Sequence, residues 1–203
     1  RFRSRLQGET LHAAKRHESR VWEMVRLIEG EFPRRTHPGV FSALLAIHSA
    51  QEESVRQLDE CGRLSPAELL RISCAKGGAS VLADAYLVRG SLTPAEFDFA
   101  FLWGVLLQLG DDLQDIHEDL DRGSDTLFTH AVRAGQPLDS LVEQLLNLSE
   151  TVAALMHALP EPAATDMSPS TAPHPPALLK NLLRMSGRSL VLMAMAQAHS
   201  CFT

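Results

Sequence analysis

Ser65-Pro66-Ala67-Glu68 and Thr93-Pro94-Ala95-Glu96 carry the same signal twice. Each offers a hydroxyl to accept from a backbone N–H, a proline suited to the first helical position, and a glutamate placed to close a capping box. Each therefore marks the start of a helix. Apolar residues at helical spacing follow both, so one helix runs from 66 to about 89 and the next from 94 to about 120. At about 1.5 Å per residue these are about 36 and about 40 Å long, which implies a large bundle. Working outward, a first helix over roughly 4–30 ends at Gly30, before Pro33 and Pro38. A second, over roughly 38–60, has Val40, Phe41, Leu44, Leu45, Ile47, Val55 and Leu58 as its apolar positions. Helices over roughly 126–134, 138–158 and 177–200 bring the set to about six or seven. Alternating β-branched runs bounded by turn residues are absent, so the expected fold class is all-α, an antiparallel helical bundle. Pro160, Pro162, Pro169, Pro173, Pro175 and Pro176 mark a Pro-rich stretch over 160–176, read as a mobile loop or a lid.

Composition bounds the rest. With 203 residues and 45% hydrophobic content the chain supports one sizeable core, so residues 1–203 read as a single domain. A formal charge of -6, from 25 acidic and 19 basic residues without a basic stripe, argues against nucleic acid as a partner. Cys61, Cys74 and Cys201 form no CxxC pair and leave an odd thiol, which suits a reducing compartment. No apolar run approaches a transmembrane span, and no signal-peptide apolar region follows Arg1-Phe2-Arg3-Ser4-Arg5, so the expected location is cytoplasmic. The chain opens on Arg1, in what reads as mid-helix, and the expectation is that further N-terminal helices precede it.

The chemistry gathers in Leu106-Leu107-Gln108-Leu109-Gly110-Asp111-Asp112-Leu113-Gln114-Asp115-Ile116-His117-Glu118-Asp119, where an apolar helix turns acidic within one turn. Asp111, Asp115 and Asp119 fall at i, i+4 and i+8, so their carboxylates share a face over about 12 Å, with Asp112 alongside. Like charges at this spacing repel and acids near a helix C-terminus oppose its dipole, so the pattern is unfavourable by a few tenths of a kcal/mol or more unless a cation is bound. Hard oxygen ligands suit Mg²⁺, which typically bridges one or two carboxylates to substrate phosphates. The plainer reading is a solvated acidic helix end.

Hairpin geometry adds candidates. Counting through the turn at 89–94, Lys76 lies about four residues, or about 6 Å, from the level of Asp111. Counting through the turn at 61–65, it lies level with about Gln51 and His48. One layer would thus offer His48, Gln51, Lys76, Gln108 and the carboxylates, with donors for an anion and ligands for its metal. Taken singly, Lys76 reads as a surface lysine, and His48, Gln51 and Gln108 as satisfied rim or core polar groups.

Gln108-Leu109-Gly110-Asp111-Asp112-Leu113-Gln114-Asp115, followed by Asp121-Arg122-Gly123-Ser124-Asp125-Thr126, resembles the second aspartate-rich region of trans-prenyltransferases such as farnesyl diphosphate synthase. Cys74-Ala75-Lys76-Gly77-Gly78-Ala79-Ser80 resembles their helix with a diphosphate-binding lysine. The resemblance spans roughly residues 40–135, corresponding to the C-terminal half of an isoprenoid synthase fold. It implies an Mg²⁺-dependent enzyme of isoprenoid biosynthesis that acts on an allylic prenyl diphosphate, by prenyl transfer or by ionisation and cyclisation. By the same resemblance Asp111, Asp112 and Asp115 would hold Mg²⁺, Lys76 the diphosphate, and Gln108 would face the allylic substrate; Asp119 joins the metal set on the i+8 spacing. That spacing also approaches the metal triad of class I terpene synthases, with Asp115 where those usually have Ser or Thr. The partner is a small-molecule prenyl diphosphate, and a homodimer is compatible with the resemblance.

One departure opens a second hypothesis. Both enzyme groups carry a first aspartate-rich motif on an earlier helix, and no DDxxD-like sequence lies between Arg1 and Lys76. The motif then lies upstream, is replaced, or is absent from a non-catalytic binding subunit of the same fold. Other chemistries find less support. There is no HExxH, the one Glu-x-x-His spacing, Glu9 to His12, stands alone where a di-iron bundle needs two, and Gly77-Gly78 lacks the context of a phosphate loop. After the acidic helix, Gly123 allows a sharp turn, and the segment with Arg122, Ser124, Asp125 and Thr126 is expected to close over bound diphosphate, Arg122 exchanging carboxylates for phosphate oxygens. The plainer reading is a surface turn whose arginine pairs with Asp119 or Asp125.

Overall fold

Both capping boxes form. Glu68 N donates to Ser65 Oγ at 3.3 Å while Ser65 N donates to Glu68 Oε2 at 3.0 Å, and Thr93 and Glu96 repeat the exchange at 3.3 and 2.8 Å. The computed structural model describes residues 1–59, 62–160 and 176–202. In chain order the helices are α1 (Phe2–Leu6), α2 (Arg16–Glu31), α3 (Pro38–Ser54), α4 (Arg56–Asp59), α5 (Pro66–Arg89), α6 (Pro94–Gln114), α7 (Ile116–Arg122), α8 (Leu127–Arg133), α9 (Asp139–Ala158) and α10 (Pro176–Gln197). A 3-10 turn, His199–Cys201, follows. The class is all-α, with no strand among the described residues. Of the Pro-rich stretch expected over 160–176, residues 161–175 lie outside the described residues, as does Cys61.

Three helices expected to be continuous are broken. The first divides at Gly8, whose φ of +100° only glycine adopts without strain. Arg34 donates to the carbonyls of Arg5 and Leu6, at 3.2 and 2.5 Å, and Glu29 accepts from both Arg5 and Arg34. The second divides at Val55, the C-cap of α3. The expected helix from 94 to about 120 divides at Asp115, where φ −92° and ψ 14° end α6 inside the acidic run. The break changes the electrostatics: Glu118 and Asp119 become first-turn residues of α7, where the helix dipole favours acids rather than opposing them.

Side-chain pairs fix the directions. Gly39 meets Tyr86, Glu53 meets Arg71 and Arg56 meets Glu68, so rising numbers on α3 and α4 meet falling numbers on α5. Ser73 meets Asp112, Gly77 meets Gly104 and Arg89 meets Glu96, so α5 and α6 are antiparallel as well. Lys180 donates to the carbonyls of His157 and Leu159, and Arg188 pairs with Glu150, which sets α10 antiparallel to α9. The main core lies on the side of α6 away from α5. Leu106, Leu113 and Ile116 pack there with Phe128 of α8, Leu138, Val142, Leu145 and Val152 of the α9 region, and Val191 and Ala194 of α10. Each such burial is worth about 1.5–3 kcal/mol relative to exposure.

Toward α5, helix α6 presents glycine instead. A Cβ on Gly77 would collide with the Gly104 carbonyl and with Gln108 Cβ, and a Cβ on Gly104 with the Gly77 carbonyl. The two backbones touch at this point. Close approach here lets short side chains such as Ser73 reach across the seam.

Candidate functional site

Asp112 occupies the seam. It is 6% exposed, Ser73 Oγ donates to its Oδ2 at 2.6 Å, and Gln108 Nε2, one turn back on α6, donates to its Oδ1 at 2.7 Å. Burial pushes its carboxyl up to about 6, against the opposing pull of the Ser73 and Gln108 hydrogen bonds and of the Lys76 charge. Asp112 was expected beside Asp111 among the metal ligands. Its two oxygens are instead committed inward, because rotation about α6 turns this position to the seam while Asp111 reaches the surface.

Lys76 lies one turn past Ser73 on α5, half-buried. It makes no ion pair or hydrogen bond among the described residues, yet its charge pulls down the carboxyls of Asp111, Asp112 and Asp119 together. Asp111 is nevertheless raised above the usual carboxylate range, first by partial burial and then by the Asp115 charge. Asp119 is raised for the same two reasons in the same order, with Asp111 adding to the effect. The arrangement is a cluster of mutually repelling carboxylates around one basic group. Carboxyls shifted in one direction beside a cleft make this a candidate functional site.

A groove of about 290 Å³ opens beside this cluster, between α5, α6 and α10. Gly77, Val81, Gly104, Leu107 and Leu190 make its apolar walls, and Ser80, Gln108, Asp111 and Gln114 its polar positions. Ser73, Ser80, Gln114 and Leu190 were not among the candidates drawn from sequence. Ser80 was legible in principle, one turn past Lys76 on the same helix; Leu190 was not, since only the tertiary fold brings α10 to α6.

The layer drawn from hairpin counting holds along the helix axes but not around them. His48 is opposite the level of Lys76, but it pairs with Glu52 at 3.5 Å and meets the Phe2 ring edge-on at 4.9 Å. Gln51 is exposed on α3, and neither residue lines the groove. Arg122 is exposed and pairs with Glu118 on its own helix. The segment after it is tied down rather than free. Asp125, fully buried, pairs with Arg133 at 2.8 Å and accepts from Gly62 N at 2.9 Å, while Thr126 and Thr129 cap α8. Cys74 borders the seam with its thiol pushed up by burial, a setting that suppresses the nucleophilic thiolate.

The donor set gives a test of fit for Mg²⁺. Among the described residues no three His, Cys, Asp or Glu side chains stand close enough together to form a metal cage. Mg²⁺ does not require one, since it commonly takes one or two carboxylates with water and substrate phosphate. Asp111 with Asp115 or Asp119 suits that shared arrangement; Asp112, buried in the seam with a hydrogen bond on each oxygen, is turned away from it. Among the described residues no helix is long and apolar enough to cross a membrane. No protein-family model matches the chain, nor does any curated protein or solved structure.

Proposed function

We propose that this protein acts on an allylic prenyl diphosphate in the manner of isoprenoid synthases, with the diphosphate at the acidic end of α6 and the prenyl chain in the α5–α6–α10 groove. The observation that carries this reading is Lys76, a basic side chain with no direct partner among the described residues, set amid Asp111, Asp112 and Asp119 beside an apolar groove. A lysine in that position serves as a point charge for phosphate. Asp111 with Asp115 or Asp119 would hold Mg²⁺, which would supply charge neutralisation at the leaving diphosphate.

The chain's own residues account for the remaining requirements. Lys76 binds and orients the diphosphate, stabilising the charge that develops as the C–O bond breaks and its electron pair leaves with the oxygen. Gln108 keeps its amide at the groove wall, its Nε2 on Asp112. Gly77 and Gly104, where the α5 and α6 backbones meet, close one side of the groove, while Val81, Leu107 and Leu190 exclude water from the allylic cation. Whether that cation is coupled or cyclised is a matter of the second substrate or of chain folding.

A second reading has one observation in its favour. The carboxylates make only part of a metal site among the described residues, and sequence offers no first aspartate-rich motif, as in a non-catalytic isoprenoid synthase-like subunit that binds without turnover.

Thermal denaturation tests the shared core of both readings. Mg²⁺ with inorganic diphosphate, each about a hundredfold above its dissociation constant, should raise the melting temperature by about 5–10 °C, well beyond either alone. Asp111→Asn combined with Asp115→Asn should abolish the synergy. Equal stabilisation of the double variant and the parent would place the site elsewhere. Release of inorganic diphosphate from an allylic prenyl diphosphate then separates enzyme from binding subunit.

A further inference from the structure

The acidic end of α6 contains one carboxylate that faces neither solvent nor cation. Asp112 and Ser73 are 6% and 1% exposed, and the two donors on Asp112, Ser73 Oγ at 2.6 Å and Gln108 Nε2 at 2.7 Å, are both neutral. A buried carboxylate is costly unless its lone pairs are answered, and the strongest answer within reach would be the lysine one turn along α5. Lys76 nonetheless forms no ion pair among the described residues.

Ser73 explains why. A serine inside a helix ordinarily returns its hydroxyl to the carbonyl one turn back, but the single O–H of Ser73 is spent across the seam on Asp112. Gly77 supports the arrangement, since Gln108 Cβ lies where a side chain at Gly77 would stand. With Asp112 satisfied by neutral groups, Lys76 is left among the outer carboxylates.

We propose that Ser73 is a positioning residue: by satisfying Asp112 it sets the rotation of the acidic end of α6 on α5 and keeps Lys76 available to an anionic ligand. The inference rests on the diphosphate reading above. Removal of the hydroxyl leaves Asp112 Oδ2 without its donor, and Lys76 turns inward to replace it. Ser73→Ala therefore weakens anion binding although every residue that would touch the ligand is unchanged.

The test is calorimetric titration of the full chain with inorganic diphosphate at fixed, saturating Mg²⁺, alongside the melting temperature of the unliganded protein. Ser73→Ala should lose about tenfold or more in affinity, the scale of one hydrogen bond to a charged group, and Ser73→Thr, which keeps the hydroxyl, should restore most of it. Ser73→Cys, close in shape but a weak donor, serves the same purpose if the alanine variant does not fold, and it should lose affinity likewise. Parent-like affinity in a folded Ala or Cys variant, even with a lowered melting temperature, overturns the proposal and leaves the diphosphate reading intact. A parent that binds no diphosphate with Mg²⁺ ends the diphosphate reading and the role of Ser73 with it.

Discussion

Asp112 is the residue at which stability and site chemistry meet. Its pKa is about 6 in the folded chain against 3.8 for an ordinary aspartate, so between these values the folded state binds more protons than the unfolded state. Stability accordingly falls as pH rises from about 4 through about 6, and the penalty is complete above that, on the order of 3 kcal/mol. Asp111 and Asp119, raised in the same direction, steepen the fall. Asp112→Asn removes the charge and keeps the shape; with its amide nitrogen toward Ser73 the hydroxyl turns to accept, and Gln108 Nε2 still donates to the remaining oxygen. Urea unfolding in Mg²⁺-free buffer at pH 5 and pH 8 should show the variant more stable than the parent by about 1–3 kcal/mol at pH 8, with the gap closing toward pH 4. A variant less stable at pH 8 would mean that the carboxylate is a net stabiliser of the seam. The sequence made the four aspartates legible as a group because their spacing is a property of one helix. It could not make legible which of them turns inward, since that depends on Ser73, which lies on another helix.

At the scale of elements, local signals were read well and long-range ones were not. The Ser65 and Thr93 caps are complete within four residues each, so their helices begin where the sequence places them. The break at Gly8 depends on Arg34 reaching back to the Arg5 and Leu6 carbonyls, and helical periodicity alone runs straight through it. The α5–α6 backbone contact at Gly77 likewise depends on a partner, Gly104, that lies on another helix. Gly77→Ala and Gly104→Ala should each destabilise the fold by about 1–3 kcal/mol, because the new methyl meets backbone atoms that cannot move aside singly. Gly30 is the control: it lies within α2 with nothing in the path of a Cβ, and Gly30→Ala should stabilise by about 0.5–1 kcal/mol. Equilibrium unfolding of the three variants is the measurement. Comparable small effects in all three would show that α5 and α6 stand farther apart than described.

Across the molecule, one residue joins segments that are remote in sequence, through its backbone and its side chain. Asp125 N donates to Gln57 O at 2.8 Å and Asp125 O accepts from Gln57 Nε2 at 3.1 Å, while its carboxylate holds Gly62 N and Arg133. These bonds connect α4, Gly62 in the turn before α5, and the C-terminal end of α8. Bonds of this kind argue against the closing loop expected from Gly123 and Arg122. Exchange of the amides of Ser124, Asp125 and Thr129, which donate to Asp119 O, Gln57 O and Thr126 Oγ1, should be slow in the unliganded protein and change little on addition of Mg²⁺ and diphosphate. Asp125→Ala removes the partner of the Gly62 N–H and of Arg133, and should cost about 1–3 kcal/mol while speeding exchange at all three amides. If those amides exchange fast in the parent and slow only with ligand, the segment is a lid after all, and the bonds of Asp125 form on binding rather than on folding.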